Sequence, residues 1–212
     1  MPLTNDQISR YSRQIVVPKW GGRAQQRVLG ARLLLIAAPE DFAQPLAYMV
    51  GAGVGEIDLC VRESDRALKS ICDRMRALNP DSTVTYGNIA QVPDVTLALA
   101  GSASVLEFIA NEAPPASPAV FARLDAPGKI AILPAPPPCL RCADADLFVT
   151  FGPRSDSAAF VAMVATTEAL KLVAGFDPAT APSIVEFQGF ESKAMPLQRA
   201  ATRCVCSDRA RA

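Results

Sequence analysis

Residues Arg32–Val61 read RLLLIAAPEDFAQPLAYMVGAGVGEIDLCV, and their pattern decides the fold. The apolar run Leu33-Leu34-Leu35-Ile36 suits a buried strand, and Pro39 bounds it. A helical segment from about Glu40 to Val50 follows. Gly51-Ala52-Gly53-Val54-Gly55 then leads into a second strand, Glu56–Val61. Strand, helix and strand at this spacing form a βαβ unit, the usual opening of a nucleotide-binding α/β domain. The turn after the first strand departs from that pattern. It reads Ala37-Ala38-Pro39-Glu40-Asp41-Phe42, where such a domain carries Gly-x-Gly-x-x-Gly.

Upstream of this unit, residues 4–30 predict one or two short helices. Thr4 or Asn5 can cap the first, with Tyr11, Ile15 and Val16 on one face. Trp20-Gly21-Gly22 reads as a turn, and Ala24–Leu29 as a second helical piece ending at Gly30. Downstream, Leu68, Ile71, Cys72, Met75 and Leu78 recur at helical spacing, so Asp65–Leu78 is an amphipathic helix stopped by Asn79-Pro80-Asp81. Thr83–Tyr86, Val95–Leu99, Ala119–Arg123 and Lys129–Leu133 read as short strands, and Val105–Ala110 as a helix. Ala135-Pro136-Pro137-Pro138 is a stiff extended linker. Residues 156–175 form the strongest helix signal, capped by Ser155 or Asp156 and closed by Gly175, with Phe160, Val161, Val164, Leu170 and Val173 expected inside. Ser183–Gln188 is a late strand. Strands alternating with helices predict an α/β fold: a Rossmann-like, three-layer, mostly parallel sheet with helices on both faces. N-terminal helices (1–30) precede the core (31–134), and the linker, long helix, late strand and tail (135–212) complete the same single domain.

Composition excludes several functions. Of 212 residues, half are hydrophobic, which is a packed globular chain. Lys+Arg and Asp+Glu balance at 21 each, so neither nucleic acid nor an anionic membrane is an expected partner. There is no histidine, which removes Ser-His-Asp and Cys-His machinery and leaves only Cys or carboxylates as zinc ligands. The polar N-terminus and the lack of a long apolar run predict no leader and no membrane span, and a reducing, cytoplasmic setting is expected.

Arg10-Tyr11-Ser12-Arg13-Gln14-Ile15, Gly21–Leu29, Ala31–Ile36, the Gly51–Gly55 turn, Leu78-Asn79-Pro80, Cys139-Leu140-Arg141-Cys142 and Glu168–Leu172 occur in one order. Together they resemble the ThiF/MoeB/HesA family, prokaryotic relatives of ubiquitin-activating E1 enzymes, over nearly the whole chain. The resemblance implies ATP and Mg²⁺ binding and adenylation of the C-terminal glycine of a ubiquitin-like sulfur carrier. Position by position, this chain departs from it. The phosphate loop falls on Ala37–Phe42, where Glu40 and Asp41 would face phosphate; two like charges ~4 Å apart cost on the order of 1–4 kcal/mol. These acids also suit a helix start. The ribose-binding acid falls on Val61, with Glu63 two residues on. The phosphate arginine has no counterpart between Ser64 and Ala67. Lys69 is two residues out of register, about 200° around a helix. The Mg²⁺-positioning acid becomes Ala100-Gly101-Ser102, and the carrier-accepting cysteine has no equivalent between Asp144 and Ala159. Arg13 is kept; in the family it reaches across a dimer to the nucleotide, and its alternative role is to anchor the N-terminal helix.

Cys139-x-x-Cys142 and Cys204-x-Cys206 remain. In the family, two such pairs bind one structural zinc that clips the tail; the alternatives are a disulfide or free thiols. Cys60 and Cys72 read as small buried hydrophobes. The expectation is therefore an E1-like protein with a degraded ATP site and structural zinc but no ATP or Mg²⁺. It would act as a partner-binding module or as the inactive subunit of a pair, in a homodimer or with an active homologue. The alternatives are an active adenylyltransferase acting on a ubiquitin-like carrier or peptide, and a binder of a cationic or neutral ligand lined by Glu40, Asp41, Glu63 and Ser102.

Overall fold

The computed structural model describes residues 2–61, 65–87, 91–112, 117–133, 151–176 and 183–197. Three helices open the chain: α1 (Asn5–Arg10), α2 (Ser12–Ile15) and α3 (Gly21–Gly30). The core follows as β1 (Arg32–Ala37), α4 (Ala43–Ala52), β2 (Glu56–Val61), α5 (Asp65–Leu78), β3 (Thr83–Tyr86), β4 (Val95–Ala100), α6 (Ala103–Glu112), β5 (Ala119–Arg123) and β6 (Gly128–Leu133). A long helix, α7 (Ala158–Ala174), and the hairpin β7 (Ser183–Gln188) and β8 (Glu191–Pro196) complete it.

The eight strands of the described residues lie in one sheet in the order β3-β2-β1-β4-β5-β6-β7-β8. The pairings through β5 are parallel, with Leu33 opposite Ile57 and Val95; those from β5 to β8 are antiparallel. This is the expected α/β, Rossmann-like, mostly parallel architecture. Its physical origin is visible in β1, where Leu33, Leu35 and Ala37 join one core cluster while Leu34 and Ile36 join another. A strand buried on both faces must be apolar at every position, which is why its sequence shows no alternation. The first cluster takes side chains of α3, α4, α5 and α7, and the second is covered by Leu106 and Ile109 of α6.

Helix ends follow local chemistry. Thr4 and Gln7 make a capping box on α1. Gly53, at φ +88°, closes α4 in a Schellman turn, with its N–H on Val50 O and that of Val54 on Met49 O.

Several local expectations are corrected. α4 begins at Ala43 rather than near Glu40, and no side chain caps it. α7 begins at Ala158, two residues late, with Ser157 at its N-cap. Phe160 is 38% exposed instead of buried. Phe160 leaves the core to meet Phe187 and Phe190 edge-on, at ring separations of 5.9 and 5.3 Å. β8 escaped the sequence reading because an exposed edge strand carrying Glu191, Ser192 and Lys193 has no apolar signature.

Candidate functional site

In an open sheet, the strand order reverses at one place, and ligands bind outside the carboxyl ends of the strands there. Here that place lies between β1 and β4, whose next strands are β2 on one side and β5 on the other. Three segments form its walls: Ala38–Phe42 after β1, Gly101-Ser102 after β4, and 151–157 ahead of α7.

The floor of this crevice is an ion pair. The Asp41 side chain is 1% exposed, and Arg154 Nη2 donates to its Oδ1 at 2.5 Å. Asp41 Oδ2 is buried without a hydrogen-bond partner. A Cβ on residue 101 would stand 2.8 Å from that oxygen and 3.0 Å from Arg154 Nη1, so only glycine lets the β4 turn pack against the pair. Donation to Asp41 raises the Arg154 pKa further above its ordinary value. Tertiary structure therefore overrides the expectation that Glu40 and Asp41 start a helix. Asp41 turns away through a tight bend (its N–H on Ala38 O, 3.0 Å) while Phe42 packs into the core.

A second, buried pair fixes where Arg154 stands. Residues 153–155 run beside the end of β5: Ala126 N–H donates to Pro153 O, Ser155 N–H to Leu124 O, and Asp125 bridges Arg154 in antiparallel fashion. Asp125 is fully buried and accepts from Arg123 Nε at 2.9 Å and from Gly152 N–H at 2.8 Å. The Arg123 guanidinium also lies 4.3 Å over the Phe151 ring. Burial pushes the Asp125 carboxyl up, but the Arg123 and Gly152 hydrogen bonds outweigh it and hold it below the usual carboxylate range.

Of the other residues singled out in the sequence, Val61 is half-buried, Lys69 is exposed on α5, and Ser102 shares a hydrogen bond with Ser104 at 3.1 Å. Glu63, Cys139, Cys142, Cys204 and Cys206 lie outside the described residues. Among the described residues, no group of three or more His, Cys, Asp or Glu side chains could hold a metal, and no helix is long and apolar enough to cross a membrane. The sequence reading missed Arg154, Arg123 and Asp125. The available signal was charge in otherwise apolar context: a lone arginine before a 17-residue helix, and an Arg-x-Asp at the end of a buried strand.

Arg13 is exposed on α2, two residues beyond a tyrosine held in a clamp. Tyr11 is fully buried; its hydroxyl donates to Asp81 Oδ2 and accepts from Asn79 Nδ2, each at 2.9 Å. Its ring lies so close to Gly53 that a Cβ there would be 2.6 Å away. Asn79 also donates to Val50 O at 2.7 Å. Burial, opposed by the Asn79 bond and reinforced by Asp81, pushes the Tyr11 hydroxyl up to about 12.

No family model matches the chain. Segments of it do match curated proteins. One is 39% identical over 57 residues to the probable adenylyltransferase/sulfurtransferase MoeZ of Mycobacterium tuberculosis, covering 27% of this chain and 14% of that protein. Another is 31% identical over 91 residues to the adenylyltransferase and sulfurtransferase uba4 of Aspergillus niger, covering 40% and 19%. The matched stretches thus span less than a fifth of either relative's length. Solved structures match more of the chain at lower identity. Escherichia coli MccB with MccA superposes at TM-score 0.68, 14% identity, over 97% of this chain and 75% of that one. PaaA superposes at 0.60 and 14% identity, over 92% and 75%. These structural likenesses concern the fold. The matched segments are thus similar to parts of adenylyltransferase/sulfurtransferase proteins, and the fold is that of MccB and PaaA.

Proposed function

We propose that the chain is a non-catalytic E1-like module that binds a protein or peptide partner, as a homodimer or as the inactive subunit beside an active homologue. One observation carries this reading: the Asp41–Arg154 pair occupies the switch-point crevice, with Gly101 packed on it. Adenylation needs amide donors around the phosphates and cations for the departing pyrophosphate. The described residues here offer a carboxylate, a second acid at Glu40, and an arginine already paired. They do not fit a nucleoside triphosphate.

Among the nucleotide-site residues that the resemblance implies, Arg13 matches, and its exposure leaves it available to act across a dimer. The four thiols Cys139, Cys142, Cys204 and Cys206 suit one tetrahedral structural zinc, which needs no histidine. One zinc per chain, lost in Cys139→Ser, supports that clip; metal-free protein with four titratable thiols overturns it.

The second reading is an active adenylyltransferase on a ubiquitin-like carrier or peptide, whose reaction class is the one that the names of MoeZ and uba4 give those proteins. Calorimetry with ATP, with and without Mg²⁺, separates the two. No heat is expected, and micromolar binding overturns the non-catalytic reading. Capture of small proteins ending in Gly-Gly then addresses the partner.

A further inference from the structure

Asp41 uses only half of its carboxylate. Oδ1 holds Arg154, while Oδ2 is buried and has no partner, on a side chain that is 1% exposed. A buried acceptor without a donor keeps its full desolvation penalty. Arg154, by contrast, has a side chain 45% exposed. It arrives from the 151–157 segment and engages the carboxylate through a single nitrogen, whereas a guanidinium meeting a carboxylate head-on makes two parallel hydrogen bonds. The result is a buried acid, ready for a second donor, at the place where open sheets take their ligands.

We propose that the crevice receives an arginine side chain from a protein or peptide partner, whose guanidinium displaces Arg154 and takes both oxygens of Asp41. The exchange conserves charge. One guanidinium swings into water as the other enters, so the carboxylate is not left bare in the interior. The occupant is an arginine rather than a lysine because two fixed, coplanar donors are needed. Phosphate and carboxylate groups are repelled by Glu40 and Asp41. This inference rests on the crevice being a partner site rather than a nucleotide site. ATP calorimetry tests that premise, and the experiment below tests the arginine site independently.

The probes are N-acetyl-arginine amide, N-acetyl-lysine amide and N-acetyl-citrulline amide, added at millimolar concentration to Arg154→Ala while thermal unfolding is followed. The arginine amide is expected to raise the midpoint by at least about 2 °C at saturation. Lysine amide should give a smaller shift, and citrulline amide, neutral but similar in shape, none. Wild-type protein should bind the arginine amide at least about tenfold more weakly, because its own Arg154 competes. The double variant Asp41→Asn/Arg154→Ala should not respond. Equal shifts from all three amides, an undiminished response in the double variant, or no shift in Arg154→Ala each overturn the proposal. Should Arg154→Ala fail to fold, Arg154→Met keeps the packed stem and must meet the same criteria.

Discussion

Replacing Gly53 by alanine tests whether the N-terminal helices are locked to the sheet domain as the contacts imply. Two terms contribute. Gly53 sits at φ +88°, where an L-residue costs roughly 1–2 kcal/mol. The new Cβ would also stand 2.6 Å from Tyr11 Cζ and Oη. A flexible side chain would swing aside cheaply, but Tyr11 is fully buried and its hydroxyl is held from both sides by Asn79 and Asp81. Moving it breaks two hydrogen bonds worth about 0.5–1.5 kcal/mol each. The sum, about 2–5 kcal/mol, is a large share of the roughly 5–15 kcal/mol that holds a domain folded. In a Tyr11→Ala background only the backbone term survives, so Gly53→Ala should cost only about 1–2 kcal/mol there. Urea unfolding of the four proteins, at constant m value, gives the coupling directly. A coupling of about 1–3 kcal/mol is expected, and one below about 0.5 kcal/mol refutes the clamp. The result bears on the role proposed for Arg13, which lies two residues beyond Tyr11 in the same N-terminal segment.

The same tyrosine sets an alkaline limit. Its hydroxyl titrates near 12 when folded against about 10 unfolded, so its contribution is full below pH 10 and lost as the pH rises through 12. At two units of difference this is of order 2–3 kcal/mol, visible in urea midpoints and absent from Tyr11→Phe. Asp125 behaves oppositely: its depressed folded value contributes stability above the ordinary carboxylate range, lost as the pH falls through the lower folded value. Acid unfolding of Asp125→Asn should accordingly show a flatter limb, with lower stability at pH 7; an unchanged acid limb refutes the assignment. Gly175→Ala should destabilise by at least ~1–2 kcal/mol, because Gly175 lies at φ +63° and its Cβ would strike the Arg27 guanidinium that donates to Ala174 O. Arg13→Ala, at an exposed site, should leave the unfolding midpoint within about 0.5 kcal/mol of wild type, so any loss of partner binding reports the surface itself.

What could be read from the sequence depended on whether the deciding interactions were local. β1 was legible because burial on both faces demands a continuous apolar run, and Gly53 because a left-handed helix end demands glycine. Phe160 was misplaced because α7 is apolar all round, so periodicity cannot choose its buried face; the Phe187–Phe190 hairpin turn chose it instead. Tyr11, Gly53 and Asn79 were noticed as parts of a family resemblance, but nothing in their spacing says that they touch. The crevice shows the same limit most sharply. Its lack of glycine could be read directly, and the local dipole rule then assigned Glu40 and Asp41 to a helix start. Asp41 instead pairs with a residue 113 positions away, on a segment placed by the buried Asp125. A carboxylate carried into the interior must find a cation, and the chain supplies Arg154 from the 151–157 segment. The glycine-free turn therefore does not border an open hollow: it carries a buried acid paired with Arg154, and that pair is why a cationic side chain is the group to test against it.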